Sequence, residues 1–106
     1  MPVAGGTEAR QVAGDRAVLT FDGELDLATA PELRAAVADL LGQGVRRIEL
    51  DLHACTFLDS SGMGALLWAE RRLQAAGGGL VIAGAHGAVA RTLEVSGVRR
   101  ALAVHA

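Results

Sequence analysis

The sequence predicts an α/β domain built on a mixed, mostly parallel sheet of about five strands, with helices packed mainly on one face. Strand-like and helix-like segments alternate along the 106 residues and are joined by short links. Such alternation implies right-handed crossovers between parallel strands. In the predicted strand Val45–Leu52, apolar and charged residues alternate strictly from Arg47 to Leu52, which predicts a strand with one covered and one wetter face. Helices are therefore expected mainly on the covered side.

The N-terminal part predicts two strands before the first helix. Residues 1–6 form a leader of small residues that is expected to be loose, and Thr7–Val12 predicts a short edge strand. A turn at Gly14-Asp15 leads into a strand over Ala17–Asp22, where apolar and polar residues alternate from Leu19 to Asp22. Gly23–Asp26 then takes the chain off the sheet.

The first helix carries a start signal. Thr29 and Glu32 have the spacing of a capping box, and Pro31 falls in the first turn, where a missing N–H costs little. Gly42 and Gly44 end the helix. One apolar stripe at helical spacing is expected to face the core; its members are Leu33, Val37, Leu40 and Leu41.

The rest of the chain predicts three more strands and two more helices. The elements are a strand over Val45–Leu52, a helix over Ser60–Ala76 that Gly77–Gly79 ends, a wholly apolar strand over Leu80–Ala83, a helix over Ala88–Val95 that Gly97 caps, and a strand over Ala101–Val104. A wholly apolar run is typical of a central strand buried on both faces. The expected inward-facing residues are Met63, Leu66, Leu67 and Leu73 in the second helix and Val89 and Leu93 in the third.

Composition argues against several classes of protein. Hydrophobic residues make up 51% and charged residues 21%, as in a folded single domain. The net charge is −2 and the arginines are scattered, so no nucleic-acid partner is expected. No apolar run is long enough to span a bilayer, so no membrane association is expected. A lone cysteine, Cys55, cannot form an internal disulfide, which favours a cytoplasmic protein; we expect it to be a small buried apolar residue.

The segment Phe57–Gly64 is the best candidate site. It lies where a loop feeds the N-terminus of the second helix, the usual position of sites in open α/β sheets. Asp59 and Ser60 are good capping residues without any function. Gly62 and Gly64 are unfavourable in a helix, by about 0.5–1 kcal/mol each in its interior, and suggest a close approach to the backbone. On chemistry alone, a functional site and plain capping both remain open.

Three motifs together resemble the STAS domain family of bacterial anti-sigma factor antagonists. The run Leu58–Gly64 is similar to that family's phosphorylation motif, and Gly23–Asp26 resembles its first signature. Ser96-Gly97, after an apolar helix, is similar to its third landmark. The likeness spans about residues 18–104. It implies a single STAS domain over residues 1–106, with the family's C-terminal helix short or absent.

The resemblance also implies a function by partner switching. Ser60 would be the phosphate acceptor, with Ser61 as second choice, and Asp26 and Asp59 would flank the site. The unphosphorylated protein would bind an anti-sigma factor with serine kinase activity and so free a sigma factor; phosphorylation would end binding and a serine phosphatase would restore it. The protein would have no enzymatic activity or cofactor and would be a monomer or weak homodimer. The implied partner-binding residues are Asp26, Asp59, Ser60, Ser61, Gly62, Met63 and Gly64.

Several alternatives are weighed against this hypothesis. Within the family, the chain could be a scaffold or sensory-complex module that binds partners without acting on a sigma factor. A serine hydrolase would need a base beside Ser60; His53 and His86 are available, but G-x-S-x-G is absent. A metal site would need clustered ligands, and the three histidines and one cysteine are scattered. Trp68 lies off the centre of its helix's apolar stripe and is expected to pack at the sheet edge, with a partner anchor as the alternative.

Overall fold

A mixed sheet forms the centre of the fold. The computed structural model describes residues 5–95 and the backbone of 103–104. Its elements are β1 (Gly5–Ala13), β2 (Arg16–Leu25), α1 (Ala30–Gly42), β3 (Arg47–Asp51), β4 (Cys55–Leu58), α2 (Ser60–Ala75), β5 (Gly79–Ala83), α3 (Gly87–Val95) and β6 (Ala103–Val104). The predicted α/β class is confirmed.

The strands lie in the order β1-β2-β3-β5-β6, and β4 pairs with β2. Among the strands that the structure describes, the pair β1–β2 alone is antiparallel, and all other pairs are parallel. One edge of β2 pairs first with β3, up to Thr20 opposite Asp51. The same edge then pairs with β4, from Gly23 opposite Cys55 onward. The sheet is therefore mostly parallel, as predicted.

The core lies on one face of the sheet. Parallel register sets Leu19, Leu50 and Ile82 side by side, each at most 1% exposed. On the opposite face Val18 and Val81 are only half-buried and Glu49 is exposed. Burying an aliphatic side chain of this size stabilises the fold by about 1.5–3 kcal/mol. The inward residues of the helices complete this core, so the helices pack mainly on one face; they are Ala30, Leu33, Val37, Leu40, Ala65, Leu66, Ala69, Leu73, Val89 and Leu93.

The two ends of the sheet differ from the predicted bounds. β1 begins at Gly5, so Gly5 and Gly6 of the predicted leader belong to a strand; residues 1–4 lie outside the described residues. At the other end only Ala103–Val104 of the predicted last strand is described, as β6. The Ser96-Gly97 landmark and the predicted cap at Gly97 also lie outside the described residues.

Strand β4 was not predicted. Cys55 and Leu58 are buried, whereas Thr56 and Phe57 between them are exposed. Four residues with this pattern show neither the alternation of a half-covered strand nor a continuous apolar run. The prediction for β5 was also wrong in part: it is an interior strand, but Val81 and Ala83 are half-buried and only one face is fully covered.

The predicted capping box at the start of α1 is wrong. Thr29 has a helical backbone (φ −105°, ψ −17°), and its side chain makes no cap bond to the helix. Its Oγ1 instead donates to the carbonyl of Glu24 at 2.6 Å and accepts from the N–H of Asp26 at 3.0 Å. The hydroxyl therefore stabilises the turn before the helix, because two backbone groups of that turn need partners. The predicted stripe holds except at Leu41, which is half-buried.

Helix α2 faces the core with smaller residues than predicted. Leu66 and Leu73 are fully buried, but Met63 and Leu67 are half-buried, and Ala65 and Ala69 take the central positions. Small side chains there let α2 lie close to its neighbours. Glu70 is also buried, at 7% exposure, and its Oε1 accepts from the N–H of Leu80 at 3.2 Å, which satisfies the buried carboxylate oxygen.

Candidate functional site

The structure brings together the two segments that the sequence singled out, Gly23–Asp26 and Leu58–Gly64. Leu25, the last residue of β2, lies in register with Leu58 of β4. The N–H of Asp59 donates to the carbonyl of Leu25 at 3.4 Å. The two segments therefore leave the sheet side by side, at the carboxyl ends of the parallel strands β2 and β4. Ligands and partners commonly approach α/β sheets at this edge.

Asp59 caps helix α2. Its backbone is extended (φ −115°, ψ −171°), and its carboxylate accepts from the N–H of Gly62 at 3.0 Å. Ser60, the first residue of the helix, is exposed, and Ser61 is half-buried. Within the described residues, the Ser60 hydroxyl has no hydrogen-bond partner. A solvent-facing hydroxyl therefore lies at the positive end of the helix dipole.

Asp26 directs its carboxylate into its own turn. Oδ1 accepts from the N–H of Ala28 at 3.0 Å and from the N–H of Thr29 at 3.1 Å. The residue is half-buried. These bonds fix the path of the chain between β2 and α1, so Asp26 has a structural role whatever else it does.

Gly62 and Gly64 have different structural reasons. A Cβ on Gly62 would lie 2.5 Å from the carbonyl oxygen of Leu25 and 2.7 Å from Cδ1 of Leu58, so α2 approaches the sheet too closely for any side chain there. A Cβ on Gly64 would meet nothing within 4 Å. The close approach inferred from the sequence is thus internal at Gly62. At Gly64 nothing inside the described chain requires a glycine.

Two exposed apolar side chains that are not among the predicted partner-binding residues flank these segments. Leu27 is 76% exposed on the loop that follows Leu25, and Phe57 is 46% exposed on β4, two residues before Asp59. Phe57 opened the predicted candidate segment, but its exposure was not predicted because β4 was not predicted.

The histidines and the cysteine lie in other environments. His53 Nδ1 lies 2.9 Å from Oδ2 of Asp51, and Nε2 of His86 lies 2.9 Å from the carbonyl oxygen of His53. The hydrogen bond from the backbone N–H of His53 is the main cause that lowers the pKa of Asp51. Cys55 is buried, at 3% exposure, as predicted, and this burial raises the pKa of its thiol. Among the described residues, no histidine is hydrogen-bonded to Ser60.

Trp68 packs against the core as a half-buried residue, with the Arg72 guanidinium 5.5 Å from its ring centroid. This environment favours the packing interpretation. In the part of the chain that the structure describes, no group of three or more histidine, cysteine, aspartate or glutamate residues is placed to hold a metal ion. None of the described helices is long and apolar enough to cross a membrane.

Comparison with known proteins identifies the family. The family model described as the STAS domain matches residues 7–106. The chain belongs to the STAS domain family. Among the relatives of this STAS domain, the anti-sigma-B factor antagonist of Staphylococcus aureus is 30% identical over 77 residues, which are 73% of this chain and 71% of that protein.

Solved structures of the family share the fold. The unphosphorylated form of the anti-sigma factor antagonist SpoIIAA matches with a TM-score of 0.80 at 24% identity, covering 95% of this chain and 89% of that one. The phosphorylated form of SpoIIAA from Bacillus matches with a TM-score of 0.72 at 24% identity, covering 95% and 92%. At this identity the likeness establishes the STAS fold.

Proposed function

We propose that this STAS domain is an anti-sigma factor antagonist that is switched by phosphorylation of Ser60. The observation that carries the proposal is the position of Ser60, exposed and without an intramolecular hydrogen bond in the described residues, on the first turn of α2 beside its Asp59 cap. A kinase can reach such a hydroxyl without unfolding the helix. Ser61 is half-buried and is the poorer acceptor.

The names of the relatives support the same role. The Staphylococcus aureus relative is an anti-sigma-B factor antagonist, and SpoIIAA has been solved in both phosphorylated and unphosphorylated forms. We infer that the partner here is an anti-sigma factor with serine kinase activity, and that a serine phosphatase restores the binding form. Phosphorylation by such a kinase consumes ATP, and we therefore assign the protein to the cytoplasm. The protein itself acts by binding and performs no reaction.

Charge gives the switch its energy. A phosphoserine carries about −1.5 to −2 charges at neutral pH, which nearly doubles the net charge of −2 and concentrates it next to Asp59. Repulsion between one unit of this charge and one acidic group of the partner, at about 6 Å and an effective dielectric near 40, weakens binding by roughly 1.4 kcal/mol, or about tenfold. Two or three such repulsions, with the cost of desolvating a dianion, end the complex.

The proposed binding surface combines the motif with its apolar rim. Asp26, Asp59 and Ser60 supply its polar centre, and Ser61, Met63 and Gly64 continue it along α2. Gly64 leaves the helix backbone open to a partner because no part of the described chain covers it. Leu27 and Phe57 add exposed apolar area at the edge, and desolvated apolar anchors contribute strongly to binding.

Phosphorylation in an extract of the source cells is the first test. The protein is incubated with extract and ATP, and fragmentation mass spectrometry locates any phosphate. We expect phosphate on Ser60 in the wild type and in Ser61→Ala, and none at this site in Ser60→Ala. Phosphate confined to other residues, or none under resting and inducing conditions, would contradict the proposal.

Binding is the second test, carried out with the kinase recovered on immobilised wild-type protein and shown to phosphorylate Ser60. Ser60→Ala should bind this kinase constitutively, and Ser60→Asp should bind at least tenfold more weakly. Leu27→Ala and Phe57→Ala should also weaken binding, whereas Val12→Ala, on exposed β1, should not. Equal binding by Ser60→Ala and Ser60→Asp would favour the scaffold alternative.

A further inference from the structure

The outer edge of β1 is unpaired among the strands that the structure describes. Within the described part of the chain, β1 is the first strand of the sheet order and pairs only with β2. All residues from Thr7 to Ala13 are exposed. The strand is nine residues long and contains no proline. A long edge strand of this kind presents a row of backbone donors and acceptors to another chain.

The pairing of β2 shows which residues of β1 point outward. The backbone N–H of Gly23 donates to the carbonyl of Ala54 on the β4 side, so this backbone group points away from β1. Along a strand, the backbone N–H and C=O groups of successive residues point alternately to its two sides. Those of Asp22, Thr20 and Val18 therefore point toward β1. The β1 residues paired with these three point their backbone groups toward β2; they are Gly6, Glu8 and Arg10. The residues whose backbone N–H and C=O groups point to the open side of β1 are therefore Thr7, Ala9 and Gln11.

We propose that a second copy of this chain pairs with β1 in antiparallel fashion about a twofold axis at Ala9. Thr7 then faces Gln11 of the second copy, and Ala9 faces its own counterpart, in hydrogen-bonded pairs. Glu8 faces Arg10 of the second copy in a non-hydrogen-bonded pair, where side chains come closest. The twofold repeats this charge pair, so the edge is complementary to itself.

Charge also selects this register. A shift by two residues in one direction places Glu8 opposite Glu8, and a shift in the other places Arg10 opposite Arg10. Like charges directly opposite are destabilising. A shift by one residue brings outward groups against inward ones and loses the hydrogen bonds. The register centred at Ala9 is therefore the one that pairs opposite charges.

The dimer is independent of the proposed switch. It uses the outer edge of β1, and it includes none of the residues proposed to bind the kinase. Failure of one proposal therefore leaves the other standing.

Sedimentation over a concentration series tests the dimer. The wild type should dimerise reversibly. Glu8→Arg and Arg10→Glu each create two like-charge pairs and should weaken self-association by about tenfold. The double variant Glu8→Arg/Arg10→Glu has the wild-type composition and should dimerise like the wild type. A mixture of the two single variants should form a mixed dimer, since their charges are complementary.

A cross-link provides the second measurement. Ala9→Cys should oxidise to a covalent dimer, because opposite residues in an antiparallel pair lie within disulfide reach. Thr7→Cys, on the same edge but opposite Gln11, should not. Circular dichroism checks the fold of each variant, which should persist because these side chains are exposed. A wild type that stays monomeric, or a dimer unaffected by the charge variants, would overturn the proposal.

Discussion

At the scale of single residues, the two glycines of α2 separate packing from function. Gly62→Ala places a methyl group 2.5 Å from the Leu25 carbonyl, and overpacking of this kind costs about 1–3 kcal/mol. Gly64→Ala meets open space and should stabilise the helix by up to about 1 kcal/mol. Urea denaturation measures both: the midpoint should fall for Gly62→Ala and rise for Gly64→Ala. A common direction for the two variants would contradict the structural assignment.

The position of the site could be predicted from the sequence, but the separate roles of its residues could not. Spacing and residue type identified the helix start at Asp59-Ser60. No pattern in the sequence predicts that Leu25 lies against Gly62, because that contact joins two distant segments of the chain. The exposure of Leu27 and Phe57 could not be predicted for the same reason, since exposure depends on what packs nearby. Long-range proximity decides such roles, and it appears only in the folded chain.

At the scale of elements, the turn between β2 and α1 depends on one buried hydroxyl. Thr29 is 5% exposed and bonds both the Glu24 carbonyl and the Asp26 N–H. Thr29→Val keeps the shape but leaves both backbone groups without their partner, so we expect a loss of about 1–3 kcal/mol of unfolding free energy. Thr29→Ser retains the hydroxyl and should lose clearly less. Thermal or urea unfolding of the pair provides the comparison, and equal stability of the two variants would refute this role.

Elements with a strong apolar period were the predictable ones. α1, α2 and α3 were located to within one or two residues, because each has apolar residues at helical spacing. β4 was missed because its four residues show no period. The Thr29–Glu32 spacing was misread as a cap because the same residue types also satisfy turns, and the nearby Glu24 carbonyl and Asp26 N–H took the hydroxyl instead.

At the scale of the whole molecule, the proposed switch should change charge without changing the fold. Ser60→Asp takes the net charge from −2 to about −3 at neutral pH, at a helix N-terminus where a negative charge is stabilising by about 0.3–1 kcal/mol. The nearby carboxylate of Asp59 opposes part of this gain. We therefore expect the melting temperature of Ser60→Asp to lie within about 5 °C of the wild type, with an unchanged circular dichroism spectrum. A large loss of stability would mean that the charge acts by unfolding α2.

The salt dependence of binding then separates the two ways in which the added charge can act. Repulsion between exposed charges is screened as ionic strength rises, since the Debye length falls from about 10 Å at 0.1 M to about 3 Å at 1 M. Steric exclusion by the new group is not screened. If repulsion dominates, the affinity of Ser60→Asp for the kinase should recover toward that of Ser60→Asn as salt is raised. A constant ratio between these two nearly isosteric variants would instead assign the switch to shape and desolvation at Ser60.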